Sequence, residues 1–228
     1  MHVPLPEDAG EVERSLYRLV EANAAANASL RLVAIRNRGG VWEGPGNTRD
    51  CDLIALTADL YHWPAGVRLG LKAHARHAAC EFAGAKILSW AQNLTWYEEA
   101  RSRGWDEMVL LNERGEVSEC TSANLFAAFG GEVRTPPLDS GCLPGVTREV
   151  LLGDIRVPGF RVVEKTLLVE DLERADQVFL TSTTRHLLPV TAIEGLSIRN
   201  RSEACHELRE AFDRHVKAYV AAYRAAVV

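Results

Sequence analysis

Lysine is scarce in this chain. Its 228 residues include 26 lysines and arginines together, yet only Lys72, Lys86, Lys165 and Lys217 are lysines. Arginine forms no imine with an aldehyde, whereas a lysine of lowered pKa does, so any Schiff-base chemistry has very few candidates. Paired cysteines are missing too. Cys51, Cys80, Cys120, Cys142 and Cys205 are odd in number, widely spaced and never C-x-x-C. That excludes a disulfide framework and a zinc knuckle, no metal site is expected, and the thiols read as reduced and mostly buried. No apolar run is long enough to span a bilayer, and Met1 is not followed by a basic-then-apolar signal. A cytoplasmic protein without membrane partners is the expectation. The net charge of −5, with no dense Lys/Arg block, gives no general pull toward nucleic acid. Neither G-x-x-x-x-G-K-[ST] nor a strand-linked G-x-G-x-x-G is present, which removes support for nucleoside triphosphates and dinucleotides.

What remains is ordinary for a soluble globular chain, with 47% hydrophobic and 25% charged residues and length for one large domain or two small ones. Residues 7–26 set Val12, Leu16, Leu19 and Val20 on one face of a helix. SLRLVAIR and CDLIALTADL read as strands joined by the glycine-rich NRGGVWEGPGNTRD. YHWPAG, residues 61–66, reads as a linker. Beyond it come strand VRLGLKA and a helix from Ile87 to Arg103, with Ile87, Ala91, Leu94 and Tyr97 at helical spacing and Gly104 ending it. Strands follow at DEMVLLN, within GEVSE, and at NLFAAF and EVRTPP. Then come a helix from Thr147, strand FRVVEKTL, short helix VEDLERA, strand QVFLTS and a C-terminal helix from about Ser202. Strands and helices mix without strict alternation, so the expected class is mixed α/β, not a doubly wound sheet.

Four stretches carry possible chemistry. Lys86, in AGAKILSW, has small and apolar neighbours, where desolvation lowers an amine's pKa toward neutrality; the alternative is a snorkelling lysine at a helix start. Glu119, in GEVSECTSANLF, is an isolated carboxylate just ahead of Thr121, Ser122 and Asn124. It is either a solvated loop charge or an acid held against a bound group. LPGVTREV has the order of an anion-binding helix start, with Gly145 for close approach and Thr147 as cap. TSTT, residues 181–184, leaves a strand with several hydroxyls and backbone donors. Each feature alone is common. As a set they meet the needs of pyridoxal 5'-phosphate: an amine for its aldehyde, donors for its phosphate and an acid beside its ring nitrogen.

The run AKILSWAQNLTWYEEARSRGWDEMVLLNERGEVSECTSANLF, with TPPLDSGCLPGVTRE and DQVFLTSTTRHLLPV, resembles the class IV aminotransferases of fold type IV. That family includes branched-chain and D-amino-acid aminotransferases and aminodeoxychorismate lyase. The resemblance covers nearly the whole chain. It implies the remainder of a small α/β domain over residues 1–65 and a larger cofactor-binding domain over 66–228, built on a mixed, barrel-like sheet. It implies that Lys86 is the Schiff-base lysine and Glu119 the ring-nitrogen acid. Val146 and Thr147, through the helix start, and Thr183 fall at phosphate contacts, and Thr184 at a backbone donor toward the substrate carboxylate. Asn124 matches the asparagine of E-x-x-x-x-N-x-F as a loop organiser, while Lys72, Lys165 and Lys217 match no functional lysine. The implied activity is transamination between an amino acid, branched-chain-like or D, and a 2-oxo acid, by a homodimer. Pyruvate elimination from an aminodeoxychorismate-like substrate and a catalytically silent dimerising or binding module are the alternatives. Family members carry a further stretch before the point where this chain begins, including an arginine that clamps the cofactor phosphate. Neither Arg31 nor Arg36 is expected to take that role, so the start lies upstream of Met1 or the protein is shortened.

Overall fold

The computed structural model describes residues 3–38 and 49–227. The chain divides into two compact units, Met1–His62 and Trp63–Val228. Most of the glycine-rich connection between the first two strands lies outside the described residues.

The first unit holds helix α1 (Ala9–Ala22) and strands β1 (Ala28–Arg36) and β2 (Cys51–Asp59). Asp8 caps α1 by accepting the Glu11 N–H at 3.0 Å, which satisfies one of the unpaired donors of the first turn. Val12, Leu16, Leu19 and Val20 are half-buried while the residues between them are mostly exposed, as the periodicity predicts. β1 and β2 pair antiparallel along their full length, from Ala28↔Asp59 to Arg36↔Cys51. No described residue of this unit is fully buried, so it has no closed core of its own.

The second unit is built on strands β3 (Val67–Lys72), β4 (Glu107–Leu111), β5 (Val117–Cys120), β6 (Asn124–Phe129), β7 (Glu132–Thr135), β8 (Arg161–Glu164), β9 (Gln177–Ser182) and β10 (His186–Ile193). Helix α2 (Ala91–Ser102), a short 3-10 turn (Leu138–Ser140), α3 (Val146–Gly153), α4 (Val169–Arg174) and α5 (Ala204–Val227) complete it. The eight strands run in the order β5-β4-β3-β10-β9-β6-β7-β8. β3 is parallel to both its neighbours and β7 is parallel to β8, while the other pairs are antiparallel. The sheet curls until its ends nearly meet. The Val117 N–H on edge strand β5 donates to Leu167 O at 2.8 Å, and Glu116 bridges Leu168, just beyond the opposite edge. This is the mixed, barrel-like α/β sheet the resemblance implies.

Alternation along the strands sorts the core into an inside and an outside. Leu69, Val109, Leu111, Leu125, Ala127, Val178, Leu180 and Val190 fill the interior of the curl with Leu167 and Leu172. The intervening Phe126, Ala128 and Phe179 face Leu151 of α3 and Leu208 and Phe212 of α5. Met108 and Leu110 pack with Ala100 and Trp96 of α2.

Three local expectations are corrected. α2 begins at Ala91, not Ile87, because residues 85–90 run irregularly ahead of it. Its inward face is Asn93, Trp96, Tyr97 and Ala100, whereas Leu94 is exposed. Thr147 does not cap α3: Gly145 occupies the cap with extended backbone, and the helix already includes Val146. Strand β10 was not expected at all. Pro189 within it lacks an N–H and normally argues against a strand, yet it pairs with Phe179 on one side, and the register with β3 shifts at Val190. Gly104, at φ +79°, ends α2 as the sequence indicates.

Candidate active site

Glu119 is the centre of the arrangement. It sits on β5 opposite Leu110, which puts its side chain on the α2 side of the sheet, and it is buried. Its Oε1 accepts from Arg76 Nε at 3.0 Å and lies 2.9 Å from Arg76 Nη2. Its Oε2 accepts the Leu143 N–H at 3.0 Å. Burial pushes the Glu119 carboxyl above its usual range, and the Arg76 guanidinium, the Leu143 N–H and the Lys86 ammonium each oppose that rise. The carboxyl is therefore an acid held in place by partners, not a solvated loop charge.

Arg76 is the residue that sequence reasoning missed. Its Nη1 donates to Asn93 Oδ1 at 2.9 Å, Asn93 Nδ2 donates to Thr121 O at 2.6 Å, and its guanidinium lies over Trp96. One arginine among many carries no local mark, and only the partner on a distant strand distinguishes it.

The start of α3 is tied to the same acid. Leu143 gives its N–H to Glu119 and its carbonyl to Asn124 Nδ2 at 2.8 Å, so Asn124 does organise this loop. Two residues on, Gly145 approaches so closely that a Cβ there would lie 2.2 Å from Asn124 Oδ1. No side-chain hydrogen bond caps α3 among the described residues, which leaves its first N–H groups available to an anion. Val146 projects outward and Thr147 is buried.

Lys86 reaches this neighbourhood along the segment before α2. Gly141, at φ +89°, packs against Ala78, and Gly84, at φ +74°, packs against Cys142 O and Pro144, so residues 78–84 lie along the loop that leads to α3. The Lys86 charge is the smallest of the named influences on the Glu119 carboxyl, after burial, Arg76 and the Leu143 N–H. The expected desolvation is not found: Lys86 is exposed. Its apolar neighbours Ile87, Leu88 and Trp90 point outward and are exposed themselves, so they build no wall around the amine.

Thr183 and Thr184 are exposed in the turn between β9 and β10. The rung Asn124↔Thr181 sets that turn just past the Asn124 end of β6. Among the described residues, no side-chain hydrogen bond or ion pair joins either threonine to Glu119. Lys72 pairs with Glu99 at 2.6 Å and Lys165 with Glu132 at 3.7 Å, while Lys217 is exposed on α5. Arg31 and Arg36 lie exposed on β1, where Arg36 Nε donates to Arg38 O. All five cysteines are free; Cys120, Cys142 and Cys205 are buried, Cys51 is half-buried and Cys80 is exposed.

An amine, a buried acid and an uncapped helix start thus lie within one unit. Residues 1–193 match the family described as amino-transferase class IV. The chain is 30% identical over 206 residues to a branched-chain-amino-acid aminotransferase of Salmonella typhimurium, covering 86% of this chain and 66% of that protein. It thus spans a little under two thirds of that relative's length, and less of an archaeal one. The solved branched-chain amino acid aminotransferase from Escherichia coli superposes with a TM-score of 0.80 at 25% identity, covering 92% of this chain and 71% of that one. A putative 4-amino-4-deoxychorismate lyase from Legionella pneumophila superposes at 0.83 with 21% identity over 93% and 79%, a likeness of fold. The chain belongs to the class IV aminotransferase family.

Proposed function

We propose that this chain is the cofactor-binding part of a pyridoxal-phosphate-dependent aminotransferase that moves an amino group between an amino acid and a 2-oxo acid. The observation that carries the reading is the buried Glu119, held by Arg76 and tied through the Leu143 N–H to an uncapped helix start. The donor set fits the cofactor. There is one primary amine for its aldehyde, a carboxyl for its ring nitrogen, and backbone N–H groups at Val146 and Thr147 for its phosphate. Gly145 lets the helix start that would form this cradle press against Asn124.

When bound, the cofactor supplies an aldehyde for the substrate amine and a ring that withdraws electrons from the substrate Cα. The residues do the rest. Lys86 Nζ is the covalent anchor and the general base that takes the Cα proton. Glu119 holds a proton on the ring nitrogen, and Arg76 with the Leu143 N–H favours the ionised carboxyl that this requires. Thr183 would add a hydroxyl to the phosphate cradle, and the Thr184 backbone N–H would serve the substrate carboxylate. The Salmonella relative's name points to branched-chain amino acids as donors.

Titration of the purified protein with pyridoxal phosphate tests this. The wild type is expected to gain an absorbance band near the visible edge and to transfer amino groups from a branched-chain amino acid to a 2-oxo acid; Lys86→Ala is expected to do neither. An unchanged spectrum and full turnover in Lys86→Ala would overturn the assignment. Pyruvate released without any added acceptor would replace transamination by elimination.

A further inference from the structure

Arg185 follows the TSTT turn directly, and its side chain is buried although the two threonines before it are exposed. Its side chain is 5% exposed and that of its partner Glu107 is 2% exposed. Arg185 Nη2 donates to Glu107 Oε2 at 2.6 Å and to Ser122 Oγ at 2.9 Å, while Nη1 donates to Ser122 O at 3.1 Å. Glu107 in turn accepts the Ser122 N–H on Oε1 at 3.0 Å and the Ser122 hydroxyl on Oε2 at 2.9 Å. The guanidinium stacks on the Trp63 ring, 4.0 Å from its centroid. At the backbone, the Arg185 N–H donates to Ser182 Oγ at 3.2 Å.

Three strand ends are joined by these bonds. Glu107 opens β4, Ser122 lies in the loop between Glu119 and Asn124, and Arg185 closes the turn that presents Thr183 and Thr184. Among the described residues neither threonine makes a side-chain hydrogen bond of its own; their turn is closed by the His186↔Ser182 rung of the hairpin and held from behind by the Arg185 side chain. A guanidinium suits this task because its planar fork serves several acceptors at once while its face stacks on an indole; an ammonium does one or the other.

We propose that Arg185 is a positioning residue, whose bridge from Glu107 and Ser122 holds the Thr183–Thr184 turn in the conformation that receives the cofactor phosphate and the substrate carboxylate. It touches neither ligand. The assignment of what the turn receives rests on the proposed function, while the ordering of the turn does not.

The test uses Arg185→Ala together with Glu107→Gln, so that no unpaired charge is left buried. In the cofactor-free protein, the backbone order parameters of Thr183 and Thr184 are expected to fall from about 0.85 to below about 0.6, while those of β6 and α3 stay unchanged. In Arg185→Ala alone, millimolar guanidinium ion is expected to restore them. The dissociation constant for pyridoxal phosphate and the KM for the amino donor are each expected to rise on the order of tenfold or more, as when outer partners of a ligand-holding group are removed. kcat is expected to change much less, because Lys86 and Glu119 lie elsewhere. A turn that remains rigid in both variants overturns the proposal, and so does loosening spread evenly through β6 and α3. If the wild type binds no pyridoxal phosphate, the functional reading falls, and the order parameters still decide whether Arg185 positions the turn.

Discussion

At the scale of single residues, the carboxylates around β5 divide into two kinds. Glu116 is held down to about 2 from 4.5, first by its hydrogen bonds with the Arg114 guanidinium, then by Asn112 and Ser140. Its oxygens join the turn before β5 to the 3-10 turn at Leu138–Ser140. A depressed pKa contributes stability that is present above the ordinary value and is lost as pH falls through the folded one. Glu119 and Glu107 are shifted the other way by burial, so their contribution is complete at low pH and fades as pH rises. Glu116 therefore pulls the denaturant midpoint down between pH 5 and pH 2 while the two buried acids push it up, and the wild-type midpoint is expected to fall relative to that of Glu116→Gln over this range. Equal slopes would show that the Arg114 contact is not what loses strength in acid. Lys86 illustrates what was legible at this scale. Its identity followed from the scarcity of its kind, but its exposure did not, because local sequence says which neighbours are apolar and not which way they point. Arg76 was illegible for the complementary reason, since its partner is 43 positions away.

At the scale of elements, periodicity located nearly every helix and strand, and the failures have physical causes. α2 starts late because two left-handed glycines commit the preceding segment to the loop under it. β10 escaped notice because a proline stands in its middle. α3 was recognised, but its cap was placed two residues late, and the difference matters. With glycine as cap, no side chain competes for the first N–H groups, and the helix start can press against Asn124. Gly145→Ala is expected to cost about 1–3 kcal/mol by overpacking, read from denaturant titration, and to weaken binding of inorganic phosphate. Adding Asn124→Ala removes the colliding oxygen and is expected to recover part of the stability. No recovery would mean that the contact with Asn124 is not the constraint at this position.

At the scale of the whole molecule, the second unit is held by its seam as much as by its ladders. Leu167 is fully buried in the interior cluster, and its carbonyl receives the Val117 N–H from the opposite edge. Leu167→Ala is expected to destabilise the unit by about 2–5 kcal/mol, measured by thermal or chemical unfolding. A cost below about 1 kcal/mol would show that the curl closes without that side chain. That the sheet would not be doubly wound was legible from the irregular alternation of elements, and its mixed, barrel-like form from the family resemblance. Its order was not, because pairings such as β3 with β10 join residues that no local pattern relates.

That pairing also governs when the unit can form. The hydroxyl of Thr191 bonds the carbonyl of Val67, 124 positions earlier, and β3 has β10 as one of its two flanking strands. During synthesis, one side of β3 therefore waits until the chain has emerged as far as β10. Distant closure of this kind slows folding and prolongs the life of open edges. An emerging chain of this protein stays vulnerable to wrong pairing until β10 arrives.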